Sequence, residues 1–242
     1  MSREFEISRE IDLPAAPEDV WTAMTAAPAA WMFPTGMEIP AGAAPPEGAP
    51  VETWDPPHRL AIRMEAPDGS FNALDYTIEA REGGTAHLRY VHSGILADGW
   101  EDQYDAIGGH TDFYLHTLAQ YLEHFNGREV TYVGQPSAGI EGPESAGTPD
   151  AMDKLRAALG ASNAGVGDRI SAPLGDAGTL DGVIDYSTPE FLGVRTDDGL
   201  YRFFGRNHYG SVVGMSAHLF ADGVDGAASE AALKAWLDGV YA

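Results

Sequence analysis

Cysteine is absent from the 242 residues of this chain, which excludes disulfides, thiolate zinc sites and cysteine nucleophiles together. Lysine is nearly absent: Lys154 and Lys234 stand alone, and 14 basic residues in all face 37 Asp and Glu, for a net charge of -23. The carboxylates are spread along the chain, and the field they make repels phosphate backbones, so nucleic acid is not an expected partner. No apolar run approaches the roughly 18 residues that cross a bilayer, and the opening MSREFEISRE is charged where a signal peptide is apolar. The expectation is a cytoplasmic protein with no membrane insertion. Also missing are a GxSxG elbow, a GxxxxGK[ST] loop and a GxGxxG turn, so serine hydrolases, P-loop NTPases and Rossmann dehydrogenases lack their basic equipment. His110, His116 and His124 lie six and eight residues apart, a spacing that does not place two imidazoles on one helical face as a zinc helix does. No metal, no cofactor and no catalytic residue is expected.

What the chain does hold is enough apolar material for packed cores, 44% of its residues, and clear periodicity. FEISREIDL alternates, with Phe5, Ile7 and Ile11 on one face, as a half-buried strand does; Arg9 falls on that same face. A basic side chain there is costly to bury alone, so it predicts either an ion pair or recognition of a ligand carboxylate. Pro17 and EDVWTAMTAA read as a helix with acidic residues in its first turn. After a proline-interrupted stretch around Trp31 and Phe33, and a Pro/Gly/Ala loop over 42–50, four strands follow as a meander: PVETWD, RLAIRMEA, FNALDYTIEA and TAHLRYVHSGIL. PPH, PDGS and REGG separate them with turn chemistry. Leu60, Ile62, Met64, Leu74, Tyr76, Ile78, Leu88, Tyr90 and His92 fall on the apolar faces.

The segment WEDQYDAIGGHTDFYLHTLAQYLEHF then presents Tyr104, Ile107, Thr111, Tyr114, Leu118, Tyr121, Leu122 and Phe125 at helical spacing, so its stripe must press onto the sheet. Glu101, Asp102 and Asp105 belong to a solvated helix start rather than an acid–base pair. Gly108-Gly109 predicts a bend or a close backbone approach. A sheet with a long helix across it leaves room for a cavity. Arg9, Trp31, Phe33, Trp54, Tyr76, Tyr90, His92, Trp100, Tyr104, His110 and Tyr114 are the candidates to line it, aromatic walls with a few hydroxyls and imidazoles suited to a flat apolar ligand.

From 131 to 150 the composition turns to Gly, Pro, Ser and Ala, which reads as a linker. Beyond it the first half is echoed: Val51, Pro57, Leu60 and Arg63 coincide with Val183, Pro189, Leu192 and Arg195 at one constant offset, and strands near LYRFFGR and SVVGMSAHLF lead into a helix carrying Leu233, Trp236, Leu237 and Val240. The domain reading is therefore 1–130, a linker over 131–150, and a reduced second module over 151–242. Tyr186, Tyr201, Phe203, His208, His218 and Trp236 would surround a smaller, mostly filled second cavity.

The opening strand, the helix with VW near its start, Trp31 between prolines, WDPPHRL, a late strand ending in HSGI and the long helix together resemble the SRPBCC (START-like) helix-grip superfamily. Within it the chain looks most like bacterial relatives of the heat-shock-protein-90 ATPase activator homologue family. The resemblance implies an α+β helix-grip fold, a curved antiparallel sheet wrapped around a long C-terminal helix, followed here by a degenerate copy. It also implies a hydrophobic small-molecule partner, a lipid or an aromatic polyketide-like compound, bound without a defined reaction. Aromatase/cyclase chemistry and a co-chaperone-like interaction module are the alternatives within the same superfamily, and a homodimer is compatible with it. Relatives often carry Gly-Trp in the terminal helix, whereas this chain has Gly109-His110.

Overall fold

The computed structural model describes residues 3–96 and 100–242, with side chains described for 4–95 and 105–242. The chain is α+β, with four α-helices and two antiparallel sheets among the described residues. It divides into two compact units, Met1–Trp31 with Thr35–Gly127, and Met32–Pro34 with Arg128–Ala242. No described helix is long and apolar enough to cross a membrane.

In the first unit, β1 (Arg3–Leu13) is followed by α1 (Pro17–Thr25), and then by β2 (Val51–Asp55), β3 (Arg59–Glu65), β4 (Phe71–Arg81), β5 (Thr85–Leu96) and α2 (Trp100–His124). The meander appears as expected, and β1 closes onto its last strand to give the order β1-β5-β4-β3-β2. Local chemistry explains the turns. Asp68 accepts from the Ser70 backbone N–H at 2.9 Å between β3 and β4, and Gly83 and Gly84, at φ of 78° and 74°, supply the left-handed backbone between β4 and β5 that other residues rarely adopt. Pro17 starts α1, with Glu18 and Asp19 in its first turn, and the helix buries Val20, Trp21, Ala23 and Met24.

Register sorts the sheet into two faces. Arg9 stands opposite Tyr90, Tyr90 opposite Tyr76, and Tyr76 opposite Leu60; Ile7 stands opposite His92, His92 opposite Leu74, and Leu74 opposite Ile62. These are the inner rows. Along β1 the alternate positions Glu4, Glu6, Ser8, Glu10 and Asp12 are all exposed, and β1 is an edge strand. On α2 the expected stripe is buried at Thr111, Leu118, Tyr121, Leu122 and Phe125, while Ile107 and Tyr114 are half-buried. Burial also reaches Phe113, Leu115 and Thr117, so the helix is enclosed over a wider arc than its stripe predicts.

The second unit repeats the order of strand, helix, meander and closing helix, with a larger sheet of seven strands. β6 (Thr131–Val133) and β7 (Ile140–Glu141) pair with β12 (Gly214–Leu219), the last strand, as β1 pairs with β5. Between them come α3 (Ala151–Ala158), β8 (Arg169–Pro173), β9 (Thr179–Ser187), β10 (Phe191–Arg195) and β11 (Gly199–Phe204), and α4 (Gly226–Val240) ends the chain. Within 131–150, whose composition suggests a linker, Thr131–Val133 and Ile140–Glu141 are strands of this sheet, and Val133 and Ile140 are sealed in the core. Two- and three-residue strands escape periodicity because they are too short to show it. The core beneath α3 and α4 gathers Leu155, Leu192, Phe203, Met215, Leu233 and Leu237, with Tyr201 and Trp236 packed against it.

One polar feature is sealed inside this sheet. Arg202 of β11, 1% exposed, donates from Nη1 to both carboxylate oxygens of Asp185 of β9, each at 2.9 Å. The pair lies over the intervening strand at Gly193, where a Cβ would stand 2.3 Å from Asp185 Oδ1 and 2.5 Å from Arg202 Nη1. Glycine is required there because nothing larger leaves room for the ion pair. Gly193→Ala is expected to destabilise the protein by about 3 kcal/mol or more, as the pair is pushed apart in a site that cannot solvate it. Arg202→Met should cost about 3–5 kcal/mol by taking the guanidinium from a buried carboxylate, and Asp185→Leu combined with Arg202→Met should recover most of that loss. Urea unfolding of the three variants measures both effects.

Candidate functional site

The inner face of the first sheet is where apolar, aromatic and polar groups converge. Its middle rows are sealed: Leu60, Tyr76, Ile78, Leu88 and Tyr90 are each at most 9% exposed. Toward the N-terminal end of β1 the cover thins, and Phe5, Ile62, Leu74 and His92 are half-buried, with Met64 36% exposed. The face thus runs from a closed floor to an accessible apolar strip.

Among the described residues, α2 meets this face through polar contacts at Arg9 and at Tyr90. The Arg9 guanidinium pairs with Asp112, through Nε and by an Nη2 bond to Oδ2 of 3.2 Å. Of the two roles open to Arg9, the structure supplies the ion pair, and both side chains stay about two-fifths exposed at 38% and 41%. Gly108 lies one turn earlier, where a Cβ would sit 3.7 Å from Arg9 Nη2, so the helix backbone passes close to the guanidinium. The second contact is a hydrogen bond between the hydroxyls of Thr111 and Tyr90. Burial pushes the Tyr76 and Tyr90 phenols above their usual range, the proximity of Tyr90 adding to the effect at Tyr76, so both hydroxyls are neutral.

His92 is the polar centre of the accessible strip. Its Nε2 is 2.7 Å from Asn72 Oδ1, and its ring meets the Phe5 ring edge-on at 5.0 Å and lies 6.3 Å from Tyr90. Loss of solvent around the imidazole lowers its pKa to about 4, so it is uncharged at neutral pH.

The remaining candidates divide. Tyr76 and Tyr90 meet with their rings tilted, 5.2 Å apart, and form the floor. Trp54 is half-buried and packs edge-on against Trp21 at 4.8 Å. Trp31 is 3% exposed, its indole donating to the Ala23 carbonyl at 3.0 Å, so it braces α1 rather than opening onto free space. Phe33 is half-buried within Met32–Pro34, which groups with the second unit. His110 contacts the Ala106 carbonyl through Nδ1 at 2.7 Å and lies 6.2 Å from the Tyr114 ring, both on α2. The side chains of Trp100 and Tyr104 lie outside the described residues. Asn72 and Asp112 join the site without having been singled out, and Phe5, placed by alternation on the apolar face, joins it too. Asn72 had a signal in the sequence, since it continues the Leu74–Tyr76 alternation as the polar member of an apolar face.

The opposite face of this sheet holds an open depression of about 300 Å³, whose rim includes Glu52, Arg63, Asp75 and Arg89. Its charged rim does not suit an apolar molecule. Among the described residues no group of three His, Asp or Glu is placed to hold a metal ion.

The depressed pKa of His92 has a consequence for stability. Above its ordinary value of 6.5 the imidazole is neutral folded or unfolded. As the pH falls from about 6.5 to about 4, the unfolded chain takes up a proton that the folded site refuses, so stability is lost across that window. His92→Phe should flatten the fall by roughly 2 kcal/mol, a figure reduced for the part-exposed ring. Urea unfolding of both proteins at a series of pH values between 7 and 4, spanning about three units, measures it.

No family model matches the chain, and no curated protein matches it. Among solved structures it is similar to an uncharacterised protein from Rhizobium leguminosarum, at 18% identity and a TM-score of 0.39 over 51% of this chain and 97% of that one. A protein from Mesorhizobium loti matches at 18% identity and a TM-score of 0.40, over 50% of this chain and 98% of its own. DynU16, a protein of the dynemicin biosynthetic locus, matches at 13% identity and a TM-score of 0.39, over 98% of this chain and 95% of its own.

Proposed function

We propose that the first unit is a helix-grip domain that binds an apolar small molecule between the inner face of its sheet and α2, without transforming it, and that the second unit is a reduced copy. The observation that carries this reading is the accessible apolar strip: Phe5, Ile62, Met64 and Leu74 are left partly uncovered on the face that α2 crosses, around a neutral imidazole. A side chain whose only role is to fill a core is normally covered, as Leu60, Ile78 and Leu88 are. A ligand that removes 100 Å² of this strip from water gains about 2.5 kcal/mol. The second unit offers no comparable strip among its core residues, since Leu192, Val194, Phe203 and Met215 are all fully buried.

A thermal-shift and native mass-spectrometry screen of flat aromatic compounds and of fatty acyl chains tests the proposal. At least one class should raise the melting temperature by a few degrees at ligand concentrations about a hundredfold above Kd, and should persist as a one-to-one complex. Leu74→Glu, at a half-exposed position, should keep the circular dichroism spectrum and weaken binding by about tenfold or more, since it sets a charge in the apolar strip. Failure of every compound in both measurements would overturn the reading.

A further inference from the structure

We infer that His92 selects the ligand by polarity, with its Nδ1 accepting a hydrogen bond from one hydroxyl or N–H of an uncharged, flat, apolar molecule, while carboxylate-bearing molecules are turned away. The inference rests on the binding reading above and adds the chemical class of the ligand.

Three observations converge on it. The hydrogen bond from His92 Nε2 to Asn72 Oδ1 is the one bond to this ring among the described residues, and because a carbonyl oxygen accepts, it places the ring proton on Nε2. Nδ1 is left with a lone pair, on a side chain that is only half-buried. Asn72 is exposed and is held two residues from Leu74, the direct cross-strand neighbour of His92, so the dyad sits on the accessible strip itself.

The groups that face the imidazole offer an anion little welcome. Phe5, Ile7 and Leu74 are apolar, and Tyr90 is a neutral phenol that burial keeps protonated. Arg9, the cation that β1 turns to this face between Phe5 and Leu13, is held by Asp112. A ligand carboxylate would have to approach that aspartate or displace it, in a protein that already carries a charge of -23. The imidazole is itself uncharged at neutral pH and adds no attraction for an anion. A neutral hydroxyl meets no such opposition.

Naphthalene, 2-naphthol and 2-naphthoate share one ring system and differ in the property at issue. Titrated into the full chain near neutral pH, 2-naphthol should bind about five- to tenfold more tightly than naphthalene, the size of one neutral hydrogen bond, and at least about tenfold more tightly than 2-naphthoate. His92→Phe should leave naphthalene binding in place and abolish the advantage of the hydroxyl. Asn72→Asp, at an exposed position where folding is not at stake, should put a carboxylate on Nε2, draw a second proton onto the ring and narrow the naphthol-to-naphthoate ratio by about fivefold or more. That weakening of the charge preference marks Asn72 as a positioning residue rather than a packing one. If naphthalene binds and the hydroxyl adds nothing, or 2-naphthoate binds best, the selection by His92 is wrong while the binding site stands. If none of the three binds, the site itself is wrong and this inference falls with it.

Discussion

The site depends on one pairing, β1 against β5, unbroken from Arg3 opposite Leu96 to Leu13 opposite Ala86. The first strand of the unit is thereby laid beside its last, and side chains far apart in the chain become neighbours. Arg9 is set beside Tyr90 and Ile7 beside His92, on the face that α2 crosses. A slip of one residue would turn every one of these groups to the opposite face and bring the acidic row of β1 inward. Alternation makes such a slip prohibitive, since Ile7 and Leu13 would be exchanged for charged neighbours. The register that builds the core is thus also what assembles the polar groups.

The two units share an order of elements and treat an inward-facing arginine differently. In the first, Arg9 stays two-fifths exposed and is satisfied by a carboxylate from the helix, so the guanidinium retains part of its water and the region around it remains accessible. In the second, Arg202 is withdrawn from solvent and pairs through Nη1 with Asp185 inside the sheet, which is possible only because Gly193 removes the side chain that would stand between them. The arrangement costs desolvation of two charges and leaves no room at that point. Together with fully buried Leu192, Phe203 and Met215 it makes the second sheet a closed body. The first unit keeps its apolar strip partly uncovered.

Much of this was legible before any coordinates. Period-2 alternation located β1, β3, β4 and β5, turn chemistry located the hairpins, and the stripe ending at Phe125 located α2, because long elements with one buried face write that face into their spacing. Tyr76, Tyr90, His92 and Arg9 emerged as one group for the same reason. Contacts that depend on how a helix is rotated over a sheet were not legible. Nothing in the spacing of α2 singles out Asp112, and only the approach of α2 to β1 makes it the partner of Arg9. Trp31 looked like a cavity wall by type, whereas its indole proton is spent on the Ala23 carbonyl. The short strands of 131–150 were hidden by a composition of glycine, proline and serine, and are held by the edge of β12 rather than by any periodicity of their own.

An edge strand offers unpaired backbone groups to any extended chain that comes near, and β1 is such an edge. Its outward row of Glu4, Glu6, Glu10 and Asp12 means that a second copy arriving in the same orientation would bring carboxylates against carboxylates. On β5, His87 lies 2.7 Å from Asp12 and Arg89 stands opposite Glu10, so the bases on this face are outnumbered by its acids. Strand-by-strand growth of the sheet into a fibril is therefore opposed where the ladder is left open, by the same alternation that turns Phe5, Ile7 and Leu13 inward.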